Sequence, residues 1–140
     1  MKIISHRGNL NGKNKKYENN PSHISDLLKN NLNVEVDVWV LNKKIYLGHD
    51  KAQYLIKKDF LLNNNLWCHA KNLNALLYMK KINVKNFFWH QNDFFTLTSS
   101  GYIWTFPKNE TTKKSIIVDL EENWKEKKYN AFGVCVDYFI

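Results

Sequence analysis

Cysteine is scarce: only two occur in 140 residues. Cys68 and Cys135 each sit in an apolar, strand-like run, and no CxxC spacing occurs. That pattern reads as reduced core residues rather than a disulfide framework. Long hydrophobic runs are lacking as well. No stretch approaches the roughly 18 consecutive apolar residues of a membrane span. One lysine and two isoleucines precede the first polar residues, so no signal-peptide apolar segment is expected, and a cytoplasmic location follows as an expectation. Linkers, low-complexity tracts and solenoid-period repeats are also missing, which leaves one domain over residues 1–140.

What is present is globular. Hydrophobic residues make up 44% and aromatics 14%, enough for a real core at this length. The formal charge is +8, which attracts phosphates, whether in nucleic acid, anionic lipid or small phosphorylated molecules. Lysine and asparagine are spread through every region, however, so most of this charge reads as a solvated face. No nucleic-acid motif accompanies it, and a nucleic-acid binder is the least supported reading.

Residues 2–6 read as a strand, and 9–20 as a polar loop. Ser22 is a candidate N-cap for a helix over 23–31 with Ile24, Leu27 and Leu28 on one face. Residues 33–41 (NVEVDVWVL) form the clearest strand, with strict alternation. A turn at Asn42-Lys43-Lys44 leads into a second strand, IYLGHD, making a hairpin. Further strands are expected at 66–71, 86–90, 102–106 and 115–119, with a final one in FGVCVDYFI. A helix over 72–81 carries Leu73, Leu76 and Leu77 in period. The early strand–helix–strand order favours parallel pairing.

Four of the five histidines, His6, His49, His69 and His90, stand at or near the carboxyl ends of strands. In a parallel arrangement those ends share one face, which carries the chemistry. Glu35 and Asp37 are i and i+2 in one strand and point the same way, opposite to Val34, Val36 and Val38. Such acids either face solvent or face inward. Facing inward, they repel one another and need a cation, such as a divalent metal. Asp119 and Glu121 repeat the spacing and are a rival source of metal ligands. Trp89 and Trp104 read as core or pocket wall.

SHRG, then YENNP, a helix, VEVDVWVL and a hairpin to LGHD together resemble the front of the glycerophosphodiester phosphodiesterase family. The resemblance is specific over residues 2–50. It continues more loosely through LWCHAK to GVCVDY, which is similar to that family's closing strand. It implies an α/β fold: a compact, truncated TIM-like barrel of mostly parallel strands with few outer helices. It also implies a metal-dependent phosphodiesterase that hydrolyses glycerophosphodiester-like substrates. His6 and His49 would be its acid/base pair. Arg7 and Lys71 would hold the phosphate. Glu35 and Asp37 would be metal ligands. Glu18 would order its loop or bond Arg7.

His69 stands where the family places a third acidic ligand. The family implies Mg or Ca; an imidazole at this position could shift preference towards Mn or Zn, could hydrogen-bond a metal-bound water, or could leave a weak site. The shortened barrel would leave apolar strand faces uncovered, which suggests a homodimer or overlying loops. The alternative function is a catalytically weak or inactive phospho-ligand binding protein on the same scaffold.

Overall fold

Alternating β-branched residues set β2 (Asn33–Leu41), the central strand of a computed structural model that describes residues 1–140. Before it come β1 (Lys2–His6) and α1 (Pro21–Lys29). After it come β3 (Lys44–Leu47), β4 (Tyr54–Ile56), α2 (Lys58–Leu61), β5 (Leu66–Ala70), α3 (Leu73–Lys81) and β6 (Phe87–Phe88). The chain ends with β7 (Phe95–Leu97), β8 (Ile103–Thr105), β9 (Ser115–Val118), a 3-10 turn at Glu122–Glu126, and β10 (Gly133–Val136).

The expected TIM-like barrel of mostly parallel strands does not form. The sheet is mixed, runs β4-β3-β2-β1-β10-β9-β8-β7, and continues from β2 into β5 and β6. It curls into a half-barrel. Three pairs, β2–β3, β3–β4 and β7–β8, are antiparallel. β6 pairs with β5 alone and β7 with β8 alone, so the ring stays open. The connections explain this. Asn42 and Lys43 both adopt positive φ, 49° and 64°, giving a two-residue hairpin turn that can only return the chain antiparallel. Three helices are also too few to cross over between eight parallel strands.

Two local expectations shift. Asn20, not Ser22, caps α1: its side chain accepts from the N–H groups of Ser22 and His23, with Pro21 opening the helix. Ile24, Leu27 and Leu28 do form the buried face of α1. On α3 the buried residues are Ala75 and Met79, while Leu73 and Leu77 are more than half exposed.

The outer face of β2 and β5 presents Val34, Val36, Val38, Leu66, Cys68 and Ala70, all fully buried, to α1 and α3. Trp124 of the 3-10 turn covers Ile117, Val134 and Val136 on β9 and β10. The concave face is filled at one level by Ile4, Trp67, Phe88, Trp104, Ile116 and Cys135. Residues two further along these strands point the same way. They are His6, His69, His90, Phe106, Val118 and Asp137, and they form the next level up. Alternation therefore builds an apolar floor with a polar and aromatic layer above it, at the carboxyl ends of the parallel strands.

Candidate functional site

Above that floor lies a cavity of about 420 Å³. Six of the seven candidate residues line it: His6, Arg7, Glu35, His49, His69 and Lys71. The seventh, Asp37, is fully buried beside them. Of the two readings open for the acids, solvent-facing or inward, the inward one holds: Glu35 and Asp37 are 3% and 0% exposed.

β1 ends in a turn that places two neighbours differently. Arg7 has φ 56° and Gly8 φ 89°. A Cβ on Gly8 would come within 3.2 Å of His23 and 3.3 Å of Ile24, so the close packing of α1 on this turn requires glycine. The His23 Nε2–H also donates to the Gly8 carbonyl at 2.8 Å. The turn aims the Arg7 backbone N–H at Glu35 Oε2, 3.2 Å away. Its side chain puts Nε 3.3 Å from Asp37 Oδ2 and Nη1 3.8 Å from Glu18 Oε2. Glu18 also accepts from Asn9 Nδ2 at 3.0 Å, so it both orders its loop and faces Arg7.

His6 Nδ1 lies 2.7 Å from Asp137 Oδ1. A carboxylate only accepts, so Nδ1 carries the proton and Nε2 is the ring atom free for chemistry. Asn9 Nδ2 donates to the same Asp137 oxygen at 2.8 Å. Burial works against a charged His6, but the Asp137 hydrogen bond and the charge of Glu35 outweigh it, and its pKa lies above the ordinary value. Burial likewise tends to raise Asp137, and the His6 hydrogen bond and charge reverse this, leaving it below the usual range.

His69 is fixed the other way round. Its Nε2 lies 3.0 Å from the His90 carbonyl, which can only accept, so Nε2 bears the proton. Its ring stacks on that of His90 at 4.8 Å. In the neutral ring, Nδ1 then presents a lone pair 3.2 Å from Asp37 Oδ1 and 4.0 Å from Glu35 Oε1. Asp37 Oδ1 is buried and has no hydrogen-bond donor beside it other than a protonated His69 Nδ1. Asn19 serves the other oxygen, donating from Nδ2 to Asp37 Oδ2 at 2.9 Å.

One ligand atom from each of Glu35, Asp37 and His69 lies within 4.8 Å of the others. Three electron-pair donors facing one another are relieved by a proton, on Glu35 or on His69 Nδ1, or by a cation between them. Burial and then the charge of Asp37 push Glu35 above its ordinary range. Asp37 goes the other way: burial would raise it, but His69, Arg7 and Asn19 outweigh that and hold it well below the carboxylate range. These three residues could hold a divalent metal ion, with the His90 carbonyl orienting the imidazole from behind.

His49 stands at the cavity mouth with its side chain 39% exposed, and its Nδ1 is 2.7 Å from Asp50 Oδ1. The preceding Gly48 is pressed against the chain, and a Cβ there would overlap the Lys51 carbonyl oxygen. Lys71 has no carboxylate within ion-pair distance. The rival acids are engaged elsewhere. Asp119 accepts from Lys127 Nζ at 2.8 Å and from the Tyr129 hydroxyl at 2.7 Å, and Glu121 shares the same lysine. They stand outside the cavity, whose wall from that strand is Val118 and Leu120.

Sequence reasoning left four contributors without a role. Asn9 and Asn19 looked like ordinary members of an asparagine-rich loop. Asp137 was visible as the end of the closing strand, but its pairing with His6 spans 131 positions and has no local signal. The backbone carbonyl of His90 is invisible to any reading of side chains. No family model matches the chain, and neither a curated protein nor a solved structure matches it. No helix is long and apolar enough to cross a membrane.

Proposed function

We propose that this chain is a metal-dependent phosphodiesterase acting on small, glycerophosphodiester-like substrates in the cytoplasm, with no nucleic-acid partner. The carrying observation is a meeting of parts in one cavity. An Asp-supported histidine and two cationic side chains share the cavity with the His69 ring, whose Nδ1 faces two buried carboxylates. The sequence resemblance, specific over residues 2–50, assigns His6, Arg7, Glu35, Asp37 and His49 to phosphodiester cleavage; it reaches Lys71 more loosely, and His69 departs from it. Buried free thiols at Cys68 and Cys135 suit a reducing compartment.

Glu35, Asp37 and His69 would hold the metal, which supplies positive charge to the phosphate oxygens when bound. Arg7 and Lys71 bind and orient the phosphate from the cavity wall. His6 Nε2 takes the proton of the attacking hydroxyl, from water or from the substrate itself, while Asp137 stabilises the imidazolium that forms. His49, at the mouth, gives a proton to the departing alkoxide. Each histidine is expected to contribute roughly 10²–10⁴-fold in rate.

The test is hydrolysis of bis(p-nitrophenyl) phosphate across a panel of divalent metals. Activity is expected with Mn or Zn, lost with chelator and lost in His6→Ala. Activity that survives His6→Ala would contradict the assignment. One observation favours a second reading, a phospho-ligand binding protein without turnover: a histidine occupies the third ligand position. Binding of phosphate esters with no hydrolysis under any metal would select it.

A further inference from the structure

The walls of the cavity are of two kinds. Away from the ionic cluster, β8, β9 and the residues that follow them supply Trp104, Phe106, Pro107, Val118 and Leu120, while the segment after β6 adds polar Gln91 and Asp93 to the cavity lining. This wall is built by register. β8 and β9 run parallel with Trp104 opposite Ile116 and Thr105 opposite Ile117. Trp104 therefore points inward beside Ile116 and Val118, and Phe106 and Leu120, just past the ends of β8 and β9, line the same cavity. The wall is firm at its base: Trp104 is 5% exposed and stacks on Phe88 at 4.4 Å, and Phe88 stacks in turn on His69. It rises into solvent at Phe106, 49% exposed, and Leu120, 37% exposed. Phe94 continues it, with its ring 6.3 Å from that of Phe106.

Singly exposed apolar residues are common on any surface. These are not scattered. They form one side of a concave site whose other side is ionic. A diester of two polar alcohols would leave that apolar wall unpaired. The cavity, at about 420 Å³, is in the range that holds a phosphate together with a sizeable organic group.

We propose that the natural substrate is an asymmetric phosphate ester, with one esterified alcohol that is apolar and seated on the Trp104–Phe106–Leu120 wall. The phosphate lies on the Arg7 and Lys71 side, and the apolar group is buried against the aromatic side. This deepens the phosphodiesterase reading and rests on its placement of the phosphate. An alkyl chain and a flat ring share the necessary chemistry.

The test is calorimetric titration of the chain, with Mn(II) present, by glycerol 1-phosphate, hexyl phosphate and phenyl phosphate. At least one apolar ester is expected to bind about tenfold or more tightly than glycerol phosphate, as burial of several carbons requires. A stronger response to hexyl identifies a chain as the occupant, and a stronger response to phenyl a ring. Phe106→Ser and Leu120→Ser, both at exposed positions, should each reduce the ratio of apolar-ester to glycerol-phosphate affinity. A wild-type ratio near one, or a ratio unchanged in both variants, overturns the proposal. If diesters are hydrolysed while that ratio is one, only this inference falls. If the ratio is high and no diester is cleaved, only the catalytic reading falls. If none of the three esters binds, both fall.

Discussion

At the scale of single residues, the site works by fixing which nitrogen holds a proton. Two histidines on the strands that flank β2 are oriented oppositely: a carboxylate holds His6 at Nδ1, and a backbone carbonyl holds His69 at Nε2. In the proposed reaction the first ring offers Nε2 for proton transfer and the second would offer Nδ1 to a cation. The first pair makes a stability prediction whose sign can be worked out. His6 is raised above its ordinary value of 6.5, so its contribution is complete below that pH and is lost as pH rises through the folded value. Asp137 is lowered below 3.8, so its contribution is present above that pH and is lost as pH falls through the folded value. The pair therefore stabilises most between about pH 4 and 6.5. In metal-free protein, Asp137→Asn should lower the denaturant midpoint most at pH 5, and the deficit should shrink by pH 9. A pH-independent deficit would contradict the pairing. The same variant should lower kcat with little change in KM, because Asp137 acts through His6 without touching substrate.

At the scale of elements, the turn after β1 carries more of the site than any helix does. Gly8 sits at φ 89° with His23 and Ile24 close behind it. A side chain there meets both backbone strain and crowding, so Gly8→Ala should cost about 1–3 kcal/mol of stability, read by denaturant unfolding. Asn20→Ala should cost about 1 kcal/mol through loss of the α1 cap, without disturbing the turn. A Gly8→Ala variant as stable as wild type would show that this turn is not constrained as described. Much at this scale was legible in the sequence. The alternation of NVEVDVWVL gave β2 its bounds, because valine on one side and charge on the other leave no second pairing. The outer face of β7 was not legible. There the apolar residues, Phe95 and Leu97, point to solvent, at 44% and 72% exposure, so the usual sign of the pattern is inverted. The face of α3 was misread for a related reason. Two of its leucines are exposed, and the helix packs through Ala75 and Met79, which a count of large side chains passes over.

At the scale of the whole molecule, a mixed, open half-barrel performs the positioning that a closed barrel was expected to perform. The parallel strands in its middle, β5, β2, β1, β10, β9 and β8, still deliver their carboxyl ends to one cavity. Antiparallel pairs at the margins replace the missing crossovers. The convergence of His6, His69 and Glu35 on that cavity could be anticipated from strand-end histidines and the Glu35/Asp37 spacing; Arg7 and Lys71 came only from the family resemblance, and His49 arrives from the antiparallel β3 rather than from a parallel strand end. Openness of the ring could not, because it depends on which strands fail to pair at long range. The central claim is that Glu35, Asp37 and His69 hold a metal ion beside the two-histidine machinery. The most direct measurement is anomalous scattering at the Mn or Zn edge from crystals soaked with that ion. The account predicts one strong peak within about 2.0–2.3 Å of Glu35, Asp37 and His69 Nδ1. No peak there, or a peak held instead by Asp119 and Glu121, would contradict it.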